Sequence, residues 1–212
     1  LGYLKIGVPP SIGSGFISKL LVEFSFAHPK VHIGLVDDDP VFQISEIRQM
    51  GLDVVFLVAL DDWLDCDAAE LWLEKVYVAL PAAHVIAGKP ELTWQDLAKE
   101  TFISSNLRSE RGLHQHFAQR LNRLGFHDHI QLHHVGRENL LALVALGRGV
   151  ALTSEAISST QFPGVVYRPI AGETLSFYAV WSPRNDNPAF RRFLSTAKSL
   201  ARRSRLKFQH NI

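Results

Sequence analysis

The residues best suited to hold a small charged molecule sit in four short stretches. "IGVPPSIGSGFI", residues 6–17, reads as a strand passing through a loop of small residues into a helix. Ser11, Ile12, Gly13 and Ser14 lead into that helix's first turn, whose N–H groups favour a carboxylate. The same residues would serve equally well as a turn and a helix cap. The loop lacks the Gly-Lys-Ser/Thr ending of a nucleotide-triphosphate loop. "FISSN" ends a strand with Ser104, Ser105 and Asn106, which either meet a ligand or cap the next helix. "GREN" opens another helix with Arg137, Glu138 and Asn139. The Arg137 guanidinium can offer a carboxylate two parallel donors, and the blander reading is an exposed arginine at a helix start. Thr153, closing "GVALT", adds one more hydroxyl.

Other candidate chemistry leads nowhere. There is no G-x-S-x-G elbow. The single cysteine, Cys66 in "DWLDCDAAE", has acidic neighbours that disfavour a thiolate. "DDD" at 37–39 reads as a strand end and a helix cap rather than a magnesium site. Ten histidines raise the question of a metal, but His114 and His116 lie two apart on a helix and do not share a face. His127 with His129 and His133 with His134 flank a strand start and read as surface or interface residues. No metal site, no cofactor and no catalysis are therefore expected. The four tryptophans read as packing rather than as platforms for bases.

The composition fits a globular chain: 47% of the 212 residues are hydrophobic and 20% charged. Lys+Arg at 22 against Asp+Glu at 21 leaves a formal charge of +1, too little to draw the chain to DNA or a membrane surface. One cysteine rules out an internal disulfide and fits a reducing compartment. No apolar run reaches the ~20 residues of a membrane helix. The basic tail "RRSRLKFQHNI" reads as a solvated end after the last apolar helix. The chain begins with Leu1, so a fragment or processed form is expected.

Strands and helices must alternate to place these residues. "YLKIGV" (3–8) is a strand, and Phe16, Ile17, Leu20, Leu21 and Phe24 mark a helix that stops at Pro29. "VHIGLVD" (31–37) is a strand, Asp39 caps a helix beginning at Pro40, and Gly51 ends it. "DVVFLV" (53–58) is apolar throughout, as a strand buried on both faces should be. After Asp61 the order changes. "AELWLEKVYVALP" (69–81) is one long strand or two, "TWQDLAKE" a short helix capped by Thr93, and "TFIS" a strand. "RGLHQHFAQRLNRLG" is a helix with Leu113, Phe117, Leu121 and Leu124 on one face. "IQLHHV", "RENLLALVALGRG" and "GVALTS" repeat strand, helix, strand. "GVVYRPI" and "SFYAVWSP" are two late strands, and "NPAFRRFLSTAKSLARR" is a closing helix capped near Asn187. Ligands in such sheets bind beyond the carboxyl ends of the strands, where helix N-termini point.

"YLKIGVPPSIGSGFISKLLVEFSFAHPKVHIGLVDDD" resembles the start of the effector-binding domain of LysR-type transcriptional regulators. "IRQMGLDVVFLV" and "LLALVALGRGVALTSE" are similar to two further stretches of that family in the same order, so the likeness runs over about residues 2–203. The resemblance implies an α/β fold of two Rossmann-like subdomains with a central cleft, like the type 2 periplasmic binding proteins. Strands then cross between subdomain I (1–75 plus 178–212) and subdomain II (76–177). It places Ser11 where the family holds its inducer with a hydroxyl. Where regulators of aromatic-compound breakdown carry another hydroxyl, this chain has Pro40, which offers neither hydroxyl nor N–H.

The expected function is that of a cytoplasmic, non-enzymatic sensor. It would bind a small organic acid, aromatic or dicarboxylic, through Ser11, Ile12, Gly13, Pro40, Ser104, Ser105, Asn106, Arg137, Asn139 and Thr153. DNA would be contacted only through a winged helix-turn-helix domain absent from this chain. A homodimer or homotetramer without membrane contact is expected, with the helices at 16–27 and 110–124 as candidates for the dimer face. Replacing Ser11 and Ser105 by alanine should weaken binding with little effect on melting. The alternatives on the same architecture are an extracytoplasmic solute-binding protein or a small-acid enzyme.

Overall fold

The computed structural model describes residues 2–9, 11–58, 63 and 65–209, with backbone alone at 127 and 206–209. Leu1, Pro10, Asp61 and residues 210–212 of the basic tail lie outside the described residues. The chain forms two compact units, Leu1–Leu73 with Ser176–Ile212, and Glu74–Leu175. It passes from one to the other inside two long strands, β4 (Asp67–Pro81) and β8 (Val165–Trp181).

The first unit contains β1 (Gly2–Gly7), α1 (Gly15–Ala27), β2 (Val31–Val36), α2 (Pro40–Arg48), β3 (Val54–Val58) and α6 (Pro188–Gln209). β1 runs parallel to both β2 and β3, and β3 pairs antiparallel with the end of β8, Val55 opposite Val180. All five residues of β3 are buried, as its unbroken apolar run demands. On one face Val55 and Leu57 pack on Ile44 and Ile47 of α2. On the other, Phe56 meets Trp72 and Phe193, and Phe193 meets Phe24 of α1 edge-on at 5.0 Å. Trp72 stacks between Phe16 and Phe177 at 4.5 and 4.6 Å, so the tryptophan is core.

The second unit repeats that order with different elements: β5 (Phe102–Ser105), α3 (Arg111–Arg123), β6 (Ile130–His133), α4 (Arg137–Ala145), β7 (Ala151–Ser154) and the short α5 (Glu155–Ser158). β5 is parallel to β6, and β7 is antiparallel to the second half of β4, Ala151 opposite Ala79. β5 and the start of β7 meet through one parallel bridge, Phe102 to Val150. There Ile103 N–H donates to Val150 O and Val150 N–H to Thr101 O, both at 2.8 Å. Gly149 permits this approach. A Cβ on it would sit 2.6 Å from Thr101 O and 2.8 Å from Ile103 Cγ2. In "LGRG", therefore, Gly147 closes α4 at φ 71° and Gly149 admits the neighbouring strand.

Several local expectations are corrected. "TWQDLAKE" is a run of turns with i→i−3 bonds (Asp96 to Thr93, Leu97 to Trp94, Ala98 to Gln95) rather than an α-helix. Thr93 and Asp96 do form a cap, but the backbone bonds that follow it reach back three residues rather than four. The two late strands are one strand of 17 residues. The "AGET" interruption stays extended because Ala171 N–H donates to Leu92 O and Leu92 N–H to Pro169 O. Gly172, at φ 71°, absorbs the irregularity. α2 ends at Arg48, and Met50 rather than Gly51 carries the positive φ of 61°. The described part of the basic tail continues α6, and Arg203 and Arg205 pair with Glu23 and Glu70.

Candidate binding site

In the second unit the carboxyl ends of β5 and β7 and the starts of α3 and α4 converge on one pocket of about 520 Å³, a volume that includes its open mouth. The sequence period explains the convergence. Each strand hands the chain to a helix after a few residues, so the last strand residues and the first helical ones border the same space. Ser104, Ser105, Arg137 and Thr153 all line it, over apolar walls that include Leu113, Phe117, Leu140 and Leu141.

The polar groups differ in how far they are already committed. Ser105, 5% exposed, donates through Oγ to Val135 O at 2.7 Å and accepts from Leu107 N–H at 3.2 Å. Its hydroxyl thus ties the end of β5 to the turn before α4. Ser104 Oγ lies 2.8 Å from His114 Nδ1 on the facing turn of α3. Burial pushes the His114 imidazole below its ordinary value, so it is neutral at pH 7. Thr153 is buried on β7. Arg137, the first residue of α4, donates through Nη2 to Glu110 Oε1 at 2.5 Å. Glu110 closes the 3₁₀ turn Arg108–Glu110 that precedes α3, so this pair links the starts of both helices.

Of the remaining candidates, Asn106 is exposed, with its Oδ1 2.8 Å from His134 Nδ1, and Asn139 is exposed on α4; neither lines the pocket. Ser11, Ile12 and Gly13 form the β1–α1 loop of the first unit, the first two half-buried and Gly13 exposed. Pro40 is buried at the first position of α2, where Asp39 caps by accepting Val41 N–H at 2.8 Å. Glu110, His114 and Phe117 line the pocket although nothing in their spacing marks them as site residues. Tyr167 is not part of the pocket lining. It packs beside Leu140 and Leu141, its buried hydroxyl has no hydrogen-bond partner among the described residues, and burial raises its pKa while the Arg137 charge lowers it. Among the described residues no group of three or more His, Cys, Asp or Glu could hold a metal. No helix among them is long and apolar enough to cross a membrane.

Residues 1–202 match the family described as the LysR substrate binding domain. Over 158 residues the chain is 28% identical to the uncharacterized HTH-type transcriptional regulator YwbI of Bacillus subtilis (strain 168), covering 74% of this chain and 51% of that protein. Over 201 residues it is 28% identical to the Hca operon transcriptional activator HcaR of Escherichia coli (strain K12), covering 91% and 66%. The chain thus spans about half to two-thirds of the length of these relatives. Among solved structures, the BenM effector binding domain with its effector benzoate superposes with a TM-score of 0.80 at 18% identity, covering 96% of this chain and 93% of that one. Full-length CbnR complexed with its target DNA gives 0.81 at 15% identity, covering 94% and 71%. At such identities the likeness is one of fold.

Proposed function

Because the chain belongs to the LysR substrate-binding domain family, we propose that it is the effector-sensing domain of a LysR-type transcriptional regulator and that it reversibly binds a small organic acid, aromatic or dicarboxylic. The observation that carries this reading is the pocket of the second unit. It gathers the hydroxyls of Ser104, Ser105 and Thr153 with a neutral imidazole and a guanidinium at a helix start, over apolar walls. The Ser104 hydroxyl and His114 imidazole lie 2.8 Å apart in it, and reversible binding rather than turnover is proposed because the relatives are named as transcriptional regulators. Benzoate in the BenM effector binding domain supports an aromatic carboxylate as the ligand class. Ser11, Ile12, Gly13 and Pro40 enter the proposal through the family resemblance.

Binding regulates if the acid prefers one arrangement of the protein over another by about 1 to 3 kcal/mol. DNA contact is assigned to a part of the full-length protein outside these 212 residues, in keeping with relatives named as HTH-type regulators. A protein working in this way acts in the cytoplasm.

Self-association is the third element of the proposal. The apolar stripe of α3 is consumed at home, with Leu113, Phe117 and Leu121 all buried in the second unit. α1 buries Phe16, Ile17, Leu20 and Phe24, yet leaves Val22 and Phe26, one turn apart, 69% and 90% exposed. That face suits a second copy of the chain, and light scattering on wild type and Phe26→Glu tests it.

Calorimetry with benzoate, salicylate and muconate tests the site. Ser104→Ala and Thr153→Val are expected to weaken the acid that binds by at least about fivefold, the loss of one hydrogen bond to a charged group. Equal affinity in both variants, or no saturable binding of any of these acids, defeats the reading.

A further inference from the structure

Among the described residues lining the pocket, Arg137 is the one permanent cation and Glu110 the one carboxylate, and they already hold each other at 2.5 Å. Their side chains are 30% and 18% exposed, so the pair is shielded from bulk water without being sealed from it. The partners come from separate elements, the 3₁₀ turn before α3 and the first residue of α4. His114, the remaining titratable group of the lining, is held neutral by burial and adds no charge at pH 7. The pocket is therefore electrically balanced as it stands. An incoming carboxylate that sought Arg137 would face Glu110 across the same guanidinium, and the two anions would repel in a partly desolvated space.

We propose that Glu110 is an internal rival of the ligand: its carboxylate holds Arg137 in the position an acidic effector takes, and the effector binds by displacing it. This rests on the reading of the second-unit pocket as the effector site and adds a residue that sets its affinity. Carboxylate discrimination then comes from a contest over one guanidinium, while the hydroxyls and apolar walls recognise the rest of the molecule. An uncharged analogue of the same shape, which makes no demand on Arg137, is indifferent to Glu110. The arrangement also keeps a carboxylate on the half-buried guanidinium when no acid is present.

The experiment compares benzoate with benzamide on wild type, Glu110→Gln and Glu110→Ala by calorimetry at constant pH and salt. Both substitutions are expected to tighten benzoate by about tenfold. Coulomb's law gives roughly fourfold to a few hundredfold for two unit charges ~5 Å apart at an effective dielectric between ~80 and ~20. Benzamide affinity is expected to stay within about twofold, because it brings no second charge to the pair. Unchanged or weaker benzoate binding in the variants overturns the proposal, as does an equal gain for benzamide, or an absence of saturable benzoate binding in every variant. Failure of the pocket itself reads differently: Ser104→Ala and Thr153→Val then leave acid binding untouched, whatever Glu110 does. Should Glu110→Gln disturb folding, Glu110→Ala supplies the same comparison, and matched circular dichroism spectra establish that each variant is intact.

Discussion

Ser105→Ala is expected to lower stability appreciably, contrary to what the sequence suggests. The hydroxyl is 5% exposed and serves two backbone groups on different segments, donating to Val135 O at 2.7 Å and accepting from Leu107 N–H at 3.2 Å. Alanine removes both partners at once. Leaving a buried backbone group without a partner costs about 1 to 3 kcal/mol. The longer bond to Leu107 belongs at the low end of that range, so a total of about 2 kcal/mol is expected. For a chain of this size that corresponds to a drop of about 4 to 8 °C in melting temperature. Urea denaturation followed by circular dichroism measures it, with Ser104→Ala as the reference. Ser104 is only partly buried and bonds to a side chain, His114, so its replacement is expected to cost under about 1 kcal/mol. If Ser105→Ala loses less than about 0.5 kcal/mol, or less than Ser104→Ala, the assignment of Ser105 as a clasp between β5 and the α4 turn is wrong.

Three further outcomes follow from the geometry. His114 and His116 both have imidazoles pushed below the ordinary 6.5, chiefly by burial. The unfolded chain therefore takes up those protons at a pH where the folded chain does not, and stability should fall as pH drops from 6.5 through the folded values, levelling off on either side. Ring-proton NMR titrations check this, and midpoints at or above 6.5 would contradict it. Asp96 should titrate at about 2, held down first by Lys89 and then by the Thr93 amide and hydroxyl. Lys89→Met should bring it back toward 3.8, as followed by carboxyl-carbon NMR. Gly149→Ala forces a methyl against Thr101 O and Ile103 Cγ2, and should cost about 2 to 4 kcal/mol through strain and the loss of the two bridging bonds. Faster hydrogen exchange at Ile103 and Val150 would localise the damage, and unchanged exchange there would remove Gly149 as the cause.

The strands and long helices were legible because their apolar residues recur with the right period. β3 announced itself by an unbroken run of five buried residues, and α3 by Leu113, Phe117 and Leu121. Misreadings arose where a local signal was real but competed with something distant. Thr93 and Asp96 do cap, yet the bonds that follow are i→i−3 turns rather than a helix. Gly172 does turn the backbone, yet the bonds from Leu92 to Pro169 and Ala171 hold β8 in line. In the site, Ser104, Ser105, Arg137 and Thr153 could be named because each ends a strand or begins a helix. Glu110 could not. It meets Arg137 across 27 residues of chain, and no local pattern reports a pair formed by two separate helix starts. His114 was visible only as one of ten histidines; what singles it out is the Ser104 hydroxyl 2.8 Å away.

The two units share one plan, and their difference bears on where charge can be held. In the first unit β1 lies between parallel β2 and β3, and β3 pairs antiparallel with β8; in the second β5 pairs parallel with β6 and meets the residue before β7 through a single parallel bridge, and β7 pairs antiparallel with β4. β1 thus corresponds to β5, α1 to α3 and α2 to α4. Pro40 and Arg137 then occupy equivalent places, each the first residue of the helix that follows the edge strand. The first unit fills that place with a residue that has no N–H and a preceding Asp39 whose carboxylate already accepts the Val41 amide. The second fills it with a guanidinium, preceded by Gly136, which has no side chain with which to cap. An anion approaching the first helix start meets the Asp39 carboxylate, whereas one approaching the second meets the same favourable dipole and a guanidinium that Glu110 must release to it. Similar backbone plans therefore have unequal capacity for an acid, and the inequality was written by two residues at each helix start rather than by the fold.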